Sequence, residues 1–171
     1  MLDFRETAGL DLLAIAAEHG EAVEGLLPLL AAVLEMRAGI GVDVARLCAQ
    51  RAGGDVRGEL LEIAERLAGA AEGTELLELD RRFWQRVLDG AGNLAYQLAF
   101  NSLIRAVHVQ HNLSVAWLEQ ELKRGGYRQP IAAAIAAGDP EGAATAARLA
   151  LAPAELGPLL TQSREPARVR W

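Results

Sequence analysis

Three charged residues fall on helix faces that are otherwise apolar. Asp80 lies within the stripe Leu76, Leu77, Phe83, Trp84, Val87 and Leu88. Arg37 lies within the stripe Leu30, Val33, Leu34, Val44 and Cys48. Arg128 shares a face with Ile131 and Ile135, three and seven residues further on. A fourth set, Gln97, Asn101, Arg105 and His108, forms a polar stripe beside Tyr96, Phe100, Leu103 and Val107. Each set has a plain structural reading. Asp80 and Arg37 could form an ion pair, because buried charges are paired or costly. Arg128 could hold its head in solvent over an apolar stem. The polar stripe could be a wet face. Taken together they point to ligand chemistry. Two inward arginines against one carboxylate leave a positive interior. A small anion, a carboxylate or a phosphate, would balance it, and a guanidinium holds either one bidentately. The candidate ligand-binding residues on this reading are Arg37, Asp80 and Arg128, with Asn101 and Arg105 from the polar stripe.

Catalytic chemistry is poorly represented. The chain has no His-Glu-x-x-His, Gly-x-Ser-x-Gly, Cys-x-x-Cys or phosphate-loop pattern. His108 and His111 are three residues apart and could share a helix face, but no third ligand is evident for a metal. No catalytic residue and no metal or other cofactor is expected, and the chain is read as a non-enzyme.

The elements that must position these residues are helical. Ala and Leu number 61 of the 171 residues, whereas Val, Ile and Thr number 20. That balance favours helices over strands. Apolar residues recur at helical spacing between breaks near Gly20, Gly53-Gly54, Gly73, Gly90 to Asn93, His111-Asn112, Gly125-Gly126, Gly138 to Pro140 and Pro153. The segments between predict helices over 9–18, 24–52, 55–71, 75–89, 93–110, 113–124, 128–137 and 140–151, with a short turn at 153–160. Pro28 suits a first turn, and Gly39 and Gly41 are candidate bends in the long segment. Short links make consecutive helices antiparallel neighbours, so the expected fold is an all-α antiparallel bundle. Residues 1–160 form one domain on this reading, and 161–171 form a loosely ordered tail.

Charge and composition restrict the partners. The net charge is −6, which is not the basic footprint of a nucleic-acid binder. Cys48 is the single cysteine, so no internal disulfide can form. No stretch reaches the 18 or more apolar residues of a membrane span, and MLDFRETAG does not read as a signal peptide. A cytoplasmic location is the expectation. Trp117 and Tyr127 are candidate interface aromatics.

The stretch LLELDRRFWQRVLDGAGNLAYQLAFNSL (Leu76–Leu103), followed by PIAAAIAAGDPEGAATAARLAL (Pro130–Leu151), resembles the FCD domain. That domain is the all-helical effector-binding part of the FadR subfamily of GntR transcriptional regulators. RETAGLDLLA near the start and LLAAVLEMRAGIGVDVARLCAQRA (Leu29–Ala52) fit the same pattern. The most specific pieces are the Asp followed by an aromatic pair and then Gly92-Asn93, and Ile-x-x-x-Ile-x-x-Gly-Asp from Ile131 to Asp139. The resemblance implies six or seven helices around a central ligand cavity, a metabolite-sensing role, a homodimer, and DNA binding through a separate winged helix-turn-helix. No such segment is expected within this sequence, so direct nucleic-acid binding by it alone is not expected.

The departures from the resemblance are informative. Many members hold a divalent metal with one aspartate and three histidines. Those positions are Asp80, Trp84, Arg128 and Ala150 here. The resemblance therefore carries the fold without the metal. Arg128 places a fixed cation near where a metal would sit, and an arginine can take over its anion-holding role. Arg37 matches an arginine common in the long helix, and Gly41 stands where a glutamate is frequent. Asp80 would then orient Arg37 or Arg128, and Trp84 would form an apolar wall. The effector expected is a carboxylate or an acyl-CoA-like anion. Ala132 to Ala137 could line room for an acyl chain or simply let helices pack closely. The alternative function is a structural or protein-interaction module of the same fold.

Overall fold

The computed structural model describes the backbone of residues 23–70, 74–108, 121 and 128–152, and the side chains of 31–70, 74–103, 121 and 128–152. Six helices appear among them: α1 (Val23–Arg51), α2 (Gly54–Gly69), α3 (Thr74–Ala91), α4 (Leu94–His108), α5 (Gln129–Ala137) and α6 (Pro140–Ala150). The described residues contain no strand. The helices expected at 9–18 and 113–124, the turn at 153–160 and the tail at 161–171 lie outside the described residues, apart from Glu121. The interface candidates Trp117 and Tyr127 lie outside them too.

Helix α1 is the hub and packs against α3, α4, α5 and α6. It runs unbroken through Gly39 and Gly41, and it begins five residues before Pro28, so that proline lies beyond the first turn. Helix α2 packs against α3 and α5, and α5 against α6. The periodicity of α2 is direct: Leu60, Ile63, Ala64 and Leu67 are its buried face. Asp55 in its first turn and Arg66 in its last complement the helix dipole.

The two motif pieces of the sequence are helix boundaries. Gly92 has φ 59°, and Asn93 Oδ1 accepts from the backbone N–H groups of Ala95 and Tyr96 at 3.1 and 3.4 Å. That ends α3 and caps α4. Gly138 has φ 67° and ends α5, with the Asp139 N–H donating back to the Ala134 carbonyl at 2.9 Å. Asp139 then caps α6 by accepting from Gly142 N–H at 2.9 Å, and Pro140 opens that helix. Ile131 and Ile135 are fully buried. The Ile-Ile-Gly-Asp spacing is thus a core face followed by a helix-to-helix corner.

Alanines do the close packing. Ala132 of α5 and Ala143, Ala144, Ala147 and Ala150 of α6 are buried, whereas Ala133 and Ala137 are exposed. Arg57 of α2 ties the ends of α1 and α5 together. Its guanidinium donates to the carbonyls of Ala49, Ala52 and Ala136 at 3.0, 3.0 and 3.2 Å. This satisfies carbonyls at the ends of both α1 and α5 that the helices cannot satisfy themselves.

Helices α1 and α3 approach closely at Gly90. A Cβ there would stand 2.5 Å from Cys48 Sγ, 3.0 Å from Val56 Cγ1 and 3.2 Å from Ala52 Cβ. Gly90→Ala should therefore cost about 1–3 kcal/mol by overpacking, reduced by up to about 1 kcal/mol of helix propensity. Urea denaturation checks this, and a variant as stable as the parent would show that the two helices separate freely.

A buried four-charge cluster as the candidate functional site

The candidate site forms where α1, α3 and the start of α5 meet. Arg37, Asp80, Glu121 and Arg128 are all buried, at 7, 8, 4 and 1% exposure. Arg128 immediately precedes α5 and makes no side-chain cap. Its guanidinium turns inward, which excludes the solvent-facing reading of this residue. Nε of Arg128 donates to Asp80 Oδ1 at 2.7 Å, and its Nη2 reaches the same oxygen at 2.7 Å and Glu121 Oε1 at 2.5 Å. Nη1 of Arg37 donates to Glu121 Oε2 at 2.8 Å, and its Nη2 to Glu121 Oε1 at 3.3 Å. Arg128 therefore bridges two carboxylates, and Glu121 bridges two guanidiniums.

The electrostatics follow from this arrangement. Burial alone would push the Glu121 carboxyl up, but the charges of Arg37 and Arg128 and their hydrogen bonds hold it below the usual carboxylate range. Burial alone would lower Arg128, but Asp80 and Glu121 hold it above its ordinary value. Both groups keep their charge. The expected positive interior is corrected: among the described residues two guanidiniums face two carboxylates. Of the two partners expected for Asp80, Arg37 and Arg128, it is Arg128 that the structure brings to it. Arg37 pairs with Glu121.

Trp84 forms one wall. It is 2% exposed, and its ring centroid lies 5.2 Å from Arg128 Cζ, within cation–π range. Phe83 meets it edge-on at 5.7 Å. A Cβ at Gly41 would lie 2.2 Å from Leu151 Cδ1 and 3.4 Å from Trp84 Cη2. The missing side chain at position 41 is thus what admits Leu151 and the indole. The buried Trp84 Nε1 has no hydrogen-bond partner among the described residues.

The polar stripe of α4 does not join this cluster in the described residues. Asn101 is exposed, while Phe100 and Leu103 on the other side of the helix are buried. That is the wet-face reading for Asn101, whereas Gln97 is half-buried. The Arg105 and His108 side chains lie outside the described residues. On the outside of the bundle, Glu59, Arg81, Arg82, Gln85, Arg86 and Asp89 line an open groove of about 320 Å³. Arg86 is engaged there with Glu59 at 2.8 Å.

The residues present do not fit a divalent metal. Asp80 is the one carboxylate among the four positions implied by the resemblance, and its Oδ1 is held by a guanidinium. Indole, guanidinium and methyl groups at Trp84, Arg128 and Ala150 are not ligands for zinc. Among the described residues no three His, Cys, Asp or Glu side chains converge.

Sequence reasoning missed two members of this architecture. Glu121 was not singled out, although it follows Trp117 by four residues and Leu118 by three, a helical spacing that places a carboxylate on an apolar face. Arg57 carries no comparable signal, since its partners are backbone carbonyls.

Comparison with known proteins gives one family. The model described as the FCD domain matches residues 32–152, which contain all four charges of the cluster and Trp84. No curated protein and no solved structure matches the chain.

Proposed function

The chain belongs to the FCD family, and from that premise we propose that it senses a small anionic effector for a FadR-type member of the GntR transcription regulators. The family is a regulatory module of transcription factors and is not a known enzyme family. Effector binding at the Arg37–Asp80–Arg128 cluster beside Trp84 is our reading. One observation carries it. Two guanidiniums from different elements converge on a single buried carboxylate, Glu121. That is the geometry with which proteins recognise carboxylates. The effector is a carboxylate or an acyl-CoA-like anion. It acts by population shift, favouring one arrangement of α1, α3 and α5 over another. Pairing with a second copy, which would transmit the shift to separate DNA-binding domains, is part of the same reading, as is a cytoplasmic location. Among the described residues no helix is long and apolar enough to cross a membrane.

The test is a thermal-shift screen of carboxylates and acyl-CoA-like anions on the parent and on Arg37→Lys. The lysine keeps the charge and loses the planar fork. Ligand affinity should fall about 10–100-fold, the value of a charge-assisted hydrogen bond. Equal responses would place the seat elsewhere. Native mass spectrometry of the same samples reads bound mass and pairing directly.

A second reading has one observation in its favour. The two arginines and two carboxylates of the described cluster balance each other without a ligand. The domain would then be a structural or interaction module of the same fold. A broad screen with no stabilising ligand would support it.

A further inference from the structure

We propose that Glu121 is a built-in occupant of the effector's anion seat, and that a carboxylate ligand binds by exchanging with the Glu121 side chain between Arg37 and Arg128. The inference rests on the effector-binding reading and deepens it. It fixes the ligand class and names the group the ligand replaces.

Charge is the first argument. Among the described residues the buried charges of this cluster are Arg37, Arg128, Asp80 and Glu121, which sum to zero. A further anion added beside them would leave one uncompensated charge in the interior, which is prohibitive. An anion that replaces Glu121 leaves the sum unchanged. Geometry is the second. Both oxygens of Glu121 are held, Oε2 by Arg37 and Oε1 by Arg37 and Arg128. The seat is therefore shaped for a planar carboxylate gripped at two points. Arg128 keeps a separate anchor on Asp80 through Nε at 2.7 Å, so it stays in place when Glu121 departs. The third argument is independent of the charges. Trp84 Nε1 is a buried donor with no partner among the described residues, on a ring 5.2 Å from Arg128 Cζ. Leaving such a donor unpaired is costly, and a ligand atom beyond the carboxylate can pair it. Exchange also supplies the switch. Glu121 ties the chain at position 121 to both α1 and the head of α5, and the ligand takes over the arginines without that covalent tie.

Chemical rescue tests this on the full chain. Glu121→Ala removes the internal carboxylate and leaves both arginines. Sodium acetate at tenfold its dissociation constant should raise the melting temperature of this variant by about 3–6 °C. Sodium chloride at equal ionic strength should not. The parent, whose seat is filled, should respond far less, and adding Arg37→Ala to Glu121→Ala should remove the rescue. A folded Glu121→Ala protein that responds equally to acetate and chloride overturns the proposal. If Glu121→Ala folds poorly, its refolding yield in acetate against chloride is the readout, alongside the isosteric Glu121→Gln. Recovery in acetate supports the exchange. No recovery, with no acetate-specific shift in Glu121→Gln, overturns it. The two readings fail separately. A parent that binds an effector through Arg37 without rescue of Glu121→Ala overturns the exchange alone. Rescue of Glu121→Ala without any ligand for the parent supports the seat and overturns the effector reading alone.

Discussion

Arg128→Met should lower the unfolding free energy by about 3–5 kcal/mol, the cost of breaking a buried charge pair from one side. Methionine keeps the apolar stem out to about the Nε position and removes the charge and all the donors. Asp80 and Glu121 stay where they are, both buried, and Asp80 loses the guanidinium that holds its Oδ1. The expected loss therefore comes chiefly from stranded carboxylates, and removing one of them should recover part of it. In a cycle with Asp80→Asn the double variant should be more stable than the sum of the single losses, with a coupling above about 1 kcal/mol. Arg128→Lys should fall between, because an ammonium keeps the charge and cannot span Asp80, Glu121 and the Trp84 face together. The pH dependence has a definite sign. The Glu121 carboxyl is held below its ordinary value of 4.5 by its arginines. The stability this gives is fully present above that value and is lost as pH falls through the lower folded value. The gap between parent and Arg128→Met should thus be widest at neutral pH and narrow in acid. Urea denaturation at both pH values with an unchanged m-value gives the answer. A variant within about 1 kcal/mol of the parent at neutral pH would mean that water reaches the cluster and the charges are not truly buried.

The sequence made the inward charges visible and left their partners hidden. Asp80, Arg37 and Arg128 are legible because each breaks an apolar stripe whose helical period is read within one segment. The corners at Gly92-Asn93 and Gly138-Asp139 are legible for the same local reason: a left-handed glycine and a capping side chain act over three or four residues. Pairing is not local. Asp80 and Arg128 are 48 residues apart, and Arg37 and Glu121 are 84 apart. Their union depends on which helices become neighbours, and α1 has four of them among the described residues. Two inward arginines and one carboxylate call for one more anion. Glu121 supplies that anion from within the chain. The stripe from Gln97 to His108 shows the opposite limit. Its spacing fits either a pocket wall or a wet face, and only the packing of Phe100 and Leu103 into the core turns Asn101 outward.

Trp84→Ala should cost about 3–5 kcal/mol, the range for emptying a large aromatic site in a packed core. The ring is nearly inaccessible, meets Phe83 and Arg128, and lies beside the bare backbone of Gly41, which Leu151 also approaches. These neighbours belong to α1, α3 and the ends of α5 and α6, so no single movement closes the hole. Gly41 makes collapse harder still, since it has no side chain to swing into the gap. Trp84→Phe separates the ring from its N–H. Phenylalanine keeps an aromatic face for Arg128, though a weaker one, and removes a buried donor that has no partner among the described residues. Relief of that unpaired donor offsets part of the lost volume, so this variant should lose only about 1 kcal/mol. The two substitutions therefore answer different questions. A small loss for Trp84→Ala would show that the ring stands in open space and is not part of the core. A stable Trp84→Phe that has lost its response to an effector would make the indole N–H a donor to the ligand, because packing alone cannot distinguish the two rings so sharply. A stable Trp84→Phe with an unchanged response would confine Trp84 to the apolar wall behind Arg128.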